Sequence, residues 1–409
     1  MEVVKLSSIC DLQNGYAFKS NDYVESSNTL SCRMSNIRPG GRFDLDYNPR
    51  FLPDSFKKKY DQYLLKDGDL VIAMTDLANN PKILGVPTIV RKSDQDILLN
   101  QRVGKLIVKK PGEVHVPYLQ YALSRPENRR YYQKFAGGGL QINIGKKEVL
   151  NNKLPLPSLE TQQKIAAILD EADRLRQFDK ELIKKYEQLS QSLFLEMFGD
   201  TWNNPKNWDE YLIEDIASDK KHSIKAGPFG SALKKEFYTP RGYKIYGQEQ
   251  VIRDDFEYGD YYIDEERFKK LKNCEIKSGD ILISLVGTYG KISIVPDEFE
   301  KGIINPRLMK ISPEISLIRP MFLKILLQSI GVEIQLKNFS RGGTMDIVNV
   351  GIIRKVKIPV PPIENQDKFL ERRELIQQQM NSLEINNYSS EELFNSLLQK
   401  AFKGELVKD

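Results

Sequence analysis

The sequence predicts an α+β protein of two similar globular domains, each followed by one long helix. Three observations lead to this prediction: a phrase that is written twice, two strand-rich segments, and two helical segments with a seven-residue apolar period. The phrase is KLPLPSLETQQK from Lys153 and KIPVPPIENQDK from Lys357, where Lys, Pro, Glu and Gln recur at one constant offset. That offset is about half of the 409 residues, which favours a tandem duplication.

Further matches occur in the same order in both halves, with spacing that changes by only a few residues. LKDGDLVIAMT is matched by IKSGDILISLV, and LLNQRVGKLIV is matched by IINPRLMKIS, which aligns Asn100 with Asn305 and Arg102 with Arg307. AGGGLQIN is matched by RGGTMDIVN, and SLFLEMFGD by SLLQKAFKGE. These ordered matches predict a pseudo-two-fold tandem repeat. Its globular domains are residues 1–158 and 200–362, and its helices are residues 159–199 and 363–409.

The composition is that of an ordinary soluble globular protein. Hydrophobic residues make up 40% and charged residues 29% of the chain, and a chain of 409 residues normally forms at least two domains. No apolar run is long enough to span a bilayer, and the first residues lack a signal-peptide layout, so we expect a cytoplasmic protein with no membrane partner. Cys10, Cys32 and Cys274 form no CxxC pair, which argues against disulfides and zinc.

Strands dominate residues 1–158 and 200–362. Short runs such as DLVIAM, PTIVRK, DILISLVG and KISIVP are bounded by Gly, Pro, Asp and Asn. Helical patches that begin at Pro117 and Pro320 interrupt them, and proline suits a first helical turn. Strands and helices without regular alternation predict α+β domains rather than a doubly wound sheet.

The two helical segments carry the same kind of apolar seam. Residues from Thr161 to Phe198 lack proline and glycine, and their apolar residues alternate at intervals of four and three, as in a heptad. Polar Asp179 interrupts the first seam, and Asn387 and Ser390 interrupt the second. The predicted seam residues are Ile168, Leu175, Leu182, Leu189, Leu193, Ile376, Met380, Leu383, Phe394 and Leu397. Two isolated amphipathic helices are the simpler interpretation, but two equal seams favour helices that face each other, each about 55–60 Å long.

The chain has a net charge of +5, and its two helical segments are acidic, so the basic surplus lies in the strand-rich domains. A basic globular surface suggests a polyanionic partner, although ordinary solvated surface gives the same pattern.

Catalytic motifs are missing from the sequence. His115 and His222 occupy unrelated positions in the two copies, and no HExxH, GxSxG or phosphate-binding loop occurs. Neighbouring carboxylates such as Asp254 and Asp255 are more typical of solvated loops than of acid–base pairs. The sequence therefore predicts no catalytic residue, no metal site and no cofactor of its own.

Several of these stretches also resemble a known family. They are LQNGYAFKSNDY near the start, GPFGSALKKEFY in the second half, KxGDxxI in each half, and LPLPSLETQQKIAAILDEADRL leading into a helix that closes with MFGD. Together they resemble the specificity subunit of type I restriction–modification systems. Because the motifs occur twice in the same order, the chain resembles the full-length form with two target-recognition domains.

The resemblance implies that each target-recognition domain reads one half of a bipartite DNA sequence, while two long antiparallel helices form a coiled-coil spacer between them. It also implies that the helices dock two methyltransferase (modification) subunits, which bring S-adenosylmethionine. Restriction (motor) subunits would bring ATP hydrolysis with its Mg²⁺. The chain would then be a non-catalytic subunit in the cytoplasm of a prokaryote that binds double-stranded DNA.

Loops that combine glycine with basic or amide side chains are the candidate DNA contacts. They cover residues 16–20, 36–42, 75–82 and 137–143 in the first domain, and residues 229–235, 248–253, 288–291 and 341–344 in the second. The candidate residues are Tyr16, Lys19, Ser20, Asn36, Arg38, Arg42, Thr75, Lys82, Gly138, Gln141, Asn143, Ser231, Lys234, Lys235, Gln248, Arg253, Thr288, Tyr289, Lys291, Arg341 and Thr344. Arg102 and Arg307 occupy matching places and could equally be partners in structural ion pairs. Since the loops differ between the domains, we expect an asymmetric target.

Two other functions compete with DNA recognition. A protein scaffold would use its basic domains to bind acidic partners, and it predicts no DNA affinity in the presence of the methyltransferase. A nuclease would use carboxylates of this chain, and it predicts metal-dependent cleavage by the isolated chain. Neither function accounts for the repeated order of domain and helix as well as DNA recognition does.

Overall fold

The computed structural model describes residues 1–91, 93–135, 139–285, 291–339 and 349–407. The chain divides into two compact units: unit 1 comprises Met1–Lys180 and Ile385–Asp409, and unit 2 comprises Glu181–Glu384. Both units mix strands and helices, which confirms the predicted α+β class. No helix in the described part of the chain combines the length and the apolar character that crossing a bilayer requires.

Unit 1 consists of short strands and helices followed by one long helix. Its strands are β1 (Val3–Lys5), β2 (Cys10–Asn14), β3 (Thr29–Cys32), β4 (Phe51–Leu52), β5 (Leu70–Ala73), β6 (Thr75–Leu77), β7 (Pro87–Ile89), β8 (Asp96–Leu99), β9 (Val103–Val108), β10 (Gln141–Asn143) and β11 (Lys153–Pro155). Its helices are α1 (Leu6–Ile9), α2 (Phe56–Lys59), α3 (Val116–Leu123), α4 (Pro126–Gln133), α5 (Lys146–Leu150) and the first part of α6 (Leu159–Phe198). Short 3-10 turns cover Ser20–Asp22, Met34–Asn36 and Asp61–Tyr63.

The central sheet of unit 1 has the strand order β2-β9-β5-β7 and is antiparallel throughout. A second sheet has the order β4-β3-β8, in which β3 and β8 run parallel. The pairs β6–β10 and β1–β11 are separate two-stranded sheets. Every residue of β5 is buried because successive side chains point to opposite faces of a sheet that is covered on both sides. Leu70 and Ile72 enter the core with α3 and α6, whereas Val71 and Ala73 enter the core with β3 and β8.

Unit 2 contains the remaining elements. Its strands are β12 (Glu210–Leu212), β13 (Ile224–Ala226), β14 (Tyr238–Thr239), β15 (Tyr243–Tyr246), β16 (Tyr262–Ile263), β17 (Ile281–Ser284), β18 (Ile292–Ile294), β19 (Gly302–Ile304), β20 (Leu308–Ile311) and β21 (Lys357–Pro359). Its helices are α7 (Gln248–Arg253), α8 (Glu265–Lys270), α9 (Pro320–Leu327), α10 (Ile330–Phe339), α11 (Val350–Arg354) and the first part of α12 (Ile363–Lys403), whose residues from Ile385 onward belong to unit 1. Short 3-10 turns cover Gly230–Ala232, Lys235–Phe237 and Lys272–Cys274.

The topology of unit 2 repeats that of unit 1. The antiparallel sheet β13-β20-β17-β18 corresponds to β2-β9-β5-β7, and the parallel pair β15–β19 corresponds to β3–β8. The pair β12–β21 corresponds to β1–β11. In β17, Ile281 and Ile283 enter one core and Leu282 enters the other, as in β5. This correspondence confirms the tandem repeat that the sequence predicts.

The repeated KxGD motif has a structural role in both units. In unit 1 the Asp69 carboxylate accepts the backbone N–H of Lys66 (2.8 Å) and pairs with Lys105 of β9 (2.7 Å). In unit 2, Asp280 in the same way accepts the N–H of Lys277 (3.0 Å) and pairs with Lys310 of β20 (3.1 Å). The glycine between Lys and Asp has φ of +84° in one unit and +80° in the other, which only glycine adopts readily. The motif therefore closes a turn and ties it to the neighbouring strand.

Gln162, near the start of α6, explains the repeated phrase that contains it. Its side chain is fully buried, and the carboxamide oxygen accepts the backbone N–H of His115 (2.9 Å). The carboxamide nitrogen donates to the backbone carbonyls of Glu113 and Pro157, both at 2.9 Å. One side chain therefore joins the segment before α3 to the segment that enters α6.

Gln366, near the start of α12, makes the same three bonds in unit 2. It is fully buried, accepts the N–H of Arg319 (2.9 Å), and donates to the carbonyls of Leu317 (3.1 Å) and Pro361 (2.8 Å). We call Gln162 and Gln366 the glutamine clamps. They couple each long helix to the globular part that precedes it.

In each unit, segments of both long helices pack together on the globular part. In unit 1, Ile165 and Leu169 of α6 and Phe394 of α12 share one core with the helix α3. In unit 2, Phe198 of α6 and Phe369 of α12 lie with their rings 5.3 Å apart, and both contact Phe322 of α9. The long helices therefore pack against each other, as the two seams predict.

Replacement of a glutamine clamp should destabilise its unit. Gln162→Ala leaves one N–H and two carbonyls without their partner, so the free energy of unfolding should fall by about 2–3 kcal/mol, and Gln366→Ala should have a similar effect. Urea unfolding followed by far-ultraviolet circular dichroism measures this. The controls are Gln163→Ala and Gln378→Ala, since both side chains are exposed on the same helices. Equal stability of clamp and control variants would contradict the structural role.

Candidate nucleic-acid interface

The candidate interface of unit 1 is built around the turn Asn100–Arg102, which connects β8 to β9. The loop after β2 lies beside this turn: the backbone N–H of Tyr16 donates to Leu99 O (2.9 Å), and the N–H of Gln101 donates to Tyr16 O (3.0 Å). A side chain on Gly15 would place its Cβ 2.2 Å from Asn100 O. Glycine is therefore required there because the two backbones come into direct contact.

Aromatic side chains support the loop that follows Gly15. The ring of Tyr16 lies 4.4 Å from that of Tyr60, 5.1 Å from Phe18 and 5.6 Å from Tyr63. A hydrogen bond between the two hydroxyls raises the pKa of Tyr16 and lowers the pKa of Tyr60. Tyr16 thus has a packing role, and its side chain is half-buried.

Lys19 and Ser20 have exposed side chains directly after this aromatic cluster. The backbone N–H of Lys19 donates to the Asp22 carboxylate (2.7 Å), which fixes the 3-10 turn that begins at Ser20. The loop therefore presents one cation and one hydroxyl on a defined backbone.

Thr75, Gln141 and Asn143 come together on the pair β6–β10. The hydroxyl of Thr75, which is buried, donates to the Asn143 carboxamide oxygen (2.8 Å), and Gln141 is exposed. The preceding residue, Met74, donates its N–H to Arg102 O (2.9 Å). The pair therefore lies next to the turn Asn100–Arg102, and the structure brings together three of the predicted loops of unit 1.

The predicted loop 36–42 differs from this pattern because its polar side chains are already used within the loop. The Asn36 side chain is buried, accepts the N–H of Arg33, and donates to the carbonyls of Asp44 (3.0 Å) and Tyr47 (3.4 Å). The guanidinium of Arg38 lies 3.5 Å from the centre of the Tyr47 ring. Arg42 forms an ion pair with Asp44 at 2.6 Å. Asn36 thus stabilises the loop from inside, which its residue type alone did not indicate.

In unit 2, Gln248 and Lys291 lie beside the equivalent turn, Asn305–Arg307. The carboxamide nitrogen of Gln248 donates to the Ser284 hydroxyl (2.6 Å), and the N–H of Ser284 donates to Lys291 O (3.2 Å). A Cβ on Gly247 would approach the Asn305 carboxamide to 2.7 Å, so α7 starts in contact with the turn. The side chain of Lys291 is exposed.

Among the described aromatic residues near the predicted positions of unit 2, the most exposed side chain lies in the loop after β13. Phe229 is 75% exposed, and Ser231, Lys234 and Lys235 that follow it are exposed as well. Lys234 lies 3.5 Å from the Glu236 carboxylate. Arg253, at the end of α7, stacks on Tyr258 at 4.2 Å.

The remaining predicted positions are Lys82 and five residues outside the described part of the chain. Lys82 is exposed, and its backbone carbonyl accepts a hydrogen bond from Arg129. Five others lie outside the described residues: Gly138, Thr288, Tyr289, Arg341 and Thr344.

Sequence reasoning overlooked a cationic helix next to the aromatic cluster. The helix α2 carries three exposed lysines, Lys57–Lys59, and only Lys57 forms an ion pair among the described residues, with Asp96 at 2.8 Å. In unit 2 the corresponding helix α8 pairs Lys269 with Glu265 and Lys270 with Glu266. The run FKKKY was the available signal.

The predicted seam residues are only partly buried. Phe394 is buried, and six are half-buried: Leu182, Leu193, Ile376, Met380, Leu383 and Leu397. Ile168, Leu175 and Leu189 differ from the expectation of a helix contact, because they are 37%, 43% and 49% exposed. The first turns of α6 pack on the globular part of unit 1 through Ile165 and Leu169, so Ile168 lies on a different face of the helix.

Polar seam residues meet each other in unit 1. The hydroxyl of Ser390 donates to the Asp179 carboxylate (2.7 Å), and Arg176 pairs with Glu391 (3.1 Å). Lys180 also pairs with Glu391. Burial raises the pKa of the Glu391 carboxyl, but the Lys180 hydrogen bond and the Arg176 charge outweigh it, so this pKa lies below its ordinary value.

Carboxylates that could suggest hydrolysis are engaged in structural contacts. Asp254 pairs with Lys324 (3.2 Å), and Asp255 accepts the N–H groups of Glu257 and Tyr258. Among the described residues, no three His, Cys, Asp or Glu side chains are grouped so that they could hold a metal ion. The arrangement presents cations, amides and aromatic rings on fixed backbones, which suits contact with a ligand.

Comparison with known proteins shows which family the sequence matches. A family model described as the type I restriction modification DNA specificity domain matches residues 1–188 and again residues 205–395. The type I restriction enzyme MjaVIII specificity subunit of Methanocaldococcus jannaschii is 34% identical over 200 residues, which span 47% of this chain and 45% of that protein. The type I restriction enzyme EcoBI specificity subunit of Escherichia coli is 24% identical over 444 residues, which span 99% of this chain and 86% of that protein.

The fold is also similar to a solved structure. The crystal structure of the type I restriction-modification S subunit from M. genitalium covers 98% of this chain and 96% of its own, with a TM-score of 0.57 and 17% identity. These matches confirm the resemblance and the duplication inferred from the motifs.

The Glu391 ion pairs predict a pH-dependent stability. Because the folded pKa of Glu391 is lowered, its stabilising contribution is complete above the ordinary pKa of a glutamate, about 4.3, and is lost as the pH falls through the folded pKa. Glu391→Gln should therefore lower the urea midpoint at pH 7, and the difference from wild type should shrink below about pH 4. The exposed Glu25→Gln is the control. A difference that stays constant with pH would contradict the ion pairs.

The glycine contacts predict a second effect on stability. Gly15→Ala and Gly227→Ala would place a Cβ within 2.2 Å and 1.9 Å of a backbone oxygen, so each should destabilise its unit by about 1–3 kcal/mol. Gly112→Ala is the matched control, since nothing lies within 4 Å of its added Cβ. Thermal unfolding measures the effect, and unchanged midpoints for Gly15→Ala and Gly227→Ala would refute the close backbone approach.

Proposed function

The chain belongs to the family of type I restriction–modification DNA specificity proteins, and we propose that each of its two units reads one half of a bipartite, asymmetric DNA target. The specificity subunit recognises DNA through its two domains. Methylation and ATP-dependent cleavage would reside in methyltransferase and restriction subunits, which would carry S-adenosylmethionine, ATP and Mg²⁺.

One observation carries this proposal: the two units share a backbone frame but present different side chains on it. Tyr16 and Gln101 of unit 1 are replaced at the matching positions of unit 2 by Pro228 and Pro306. Exposed Gln141 lies on the strand pair β6–β10 that follows the turn contact of unit 1, whereas exposed Lys291 lies beside the turn of unit 2. Side chains read base edges, so two domains with one frame and different side chains should read different sequences.

The long helices suit the spacing role in this proposal. Helices of 40 and 41 residues are about 60 Å long, which is more than one turn of DNA at about 34 Å. We infer that they set the distance between the two half-sites.

Exposed apolar residues on the same helices support the docking of methyltransferase subunits. Leu175 and Phe178 of α6 are 43% and 53% exposed, and Leu375 and Ile385 of α12 are 63% and 68% exposed. Leu175 and Phe178 lie three residues apart and so share one face of α6. Exposed apolar side chains grouped in this way are typical of a surface that another protein covers. We propose that two methyltransferase subunits bind there.

Mapping of methylated bases tests the proposal. The chain is co-expressed with the methyltransferase subunit encoded beside it, and the genomic bases that gain methyl groups are located. We expect a bipartite motif with two different halves. Gln141→Ala should relax only one half and Lys291→Ala only the other, since a good base contact contributes about 1–3 kcal/mol of discrimination. Gln163→Ala, on an exposed helix position, is the control.

Three outcomes would contradict the proposal. A palindromic motif would oppose two different readers. The absence of DNA binding in the presence of the methyltransferase would favour a protein scaffold. Metal-dependent DNA cleavage by the purified chain alone would favour a nuclease.

A further inference from the structure

The turns Asn100–Arg102 and Asn305–Arg307 have the same internal structure. In unit 1 the N–H of Val103 donates to Asn100 O (2.9 Å), and in unit 2 the N–H of Leu308 donates to Asn305 O (3.1 Å). The asparagine side chain accepts the N–H of the arginine two residues later, at 3.2 Å in unit 1 and 2.9 Å in unit 2. Both arginines therefore sit at the same position of an asparagine-capped turn.

The surrounding backbone holds both turns in the same way. Met74 donates its N–H to Arg102 O, and Leu285 donates its N–H to Arg307 O, both at 2.9 Å. The N–H of Asn100 donates to Cys32 O (3.1 Å), and that of Asn305 donates to Tyr246 O (2.8 Å). These bonds use only backbone atoms of the arginines. The turn is consequently held without any contribution from either guanidinium.

Both arginine side chains are exposed. In the described part of the chain, no residue forms an ion pair with either guanidinium or accepts a hydrogen bond from it. Other arginines are engaged: Arg176 pairs with Glu391, and Arg319 pairs with Asp367 through two bonds of 2.6 and 2.7 Å. The structural ion pairs that the sequence left open for Arg102 and Arg307 are thus not formed with described residues.

We propose that Arg102 and Arg307 each bind a DNA phosphate, one in each half-site. The inference rests on the proposed function, which supplies two different half-sites to two units with one frame. Neighbouring side chains differ between the units, but the arginine recurs on the same turn. Two half-sites of different sequence share only the sugar–phosphate backbone, so a residue common to both readers fits the phosphate. A guanidinium matches a phosphate with two parallel N–H···O bonds.

Duplex binding as a function of salt tests this inference. The full-length chain with its methyltransferase subunit is titrated with the wild-type target duplex and with an unrelated duplex. Arg102→Ala and Arg307→Ala should each weaken binding to both duplexes about tenfold and reduce the slope of log K against log salt by about 0.9. The double variant should reduce the slope by about twice as much. The methylated motif should stay unchanged.

Matched variants separate the phosphate contact from other roles. Arg102→Lys and Arg307→Lys keep the charge and should keep the salt slope. Arg130→Ala in unit 1 and Lys337→Ala in unit 2 remove cations that are paired with Glu127 and Glu333, and they should bind as wild type does.

The inference would be overturned if Arg102→Ala and Arg307→Ala keep the wild-type salt slope while wild type binds its target. It would also be overturned if either variant relaxes the motif at one base pair, since that indicates base reading. A lower thermal midpoint with unchanged affinity would assign the arginines to the fold. If wild type itself binds no duplex in the complex, the proposed function fails, which is a different result from the failure of the variants alone.

Discussion

The glutamine clamps are the interaction on which the rest of the structure depends. Each carboxamide is buried and satisfies three backbone groups from two separate segments. A buried carboxamide of this kind is costly to leave unpaired, so it permits only one arrangement of those segments. The clamps therefore decide where each long helix begins with respect to the globular part of its unit.

The duplication separates what the fold requires from what the function requires. Asp69 and Asp280 tie their turns to equivalent strands, β9 in unit 1 and β20 in unit 2. Gln162 and Gln366 make equivalent hydrogen bonds in the two units. The loops around the turns Asn100–Arg102 and Asn305–Arg307 differ in sequence. Features that recur in both copies hold the frame of each unit. Under the proposed function, a recurring side chain can also bind what the two half-sites have in common, and the side chains that differ recognise different bases.

Recurring motifs predicted the repeat, and short apolar runs bounded by turn residues predicted the α+β class. A seven-residue apolar period without proline or glycine predicted the long helices, since these signals are all local in the sequence. Burial depends on tertiary contacts, which a period does not show. Ile165 and Leu169 are therefore buried, while Ile168 of the predicted seam is exposed. In the same way Asn36 belongs to the interior of its loop, although its amide side chain is of a type that can contact bases. The predicted positions near Gly15 and on the pair β6–β10 do lie together, because β2 and β5 both end beside the start of β9.

Footprinting of the target duplex in the complex with the methyltransferase subunit tests the central claim most directly. The claim is that two units built on one frame engage two separate DNA segments. It predicts two protected segments of different sequence. Removing the loop contacts of one unit should weaken the protection of one segment and leave the other segment protected. One continuous protected segment that responds as a whole to changes in either unit would contradict it.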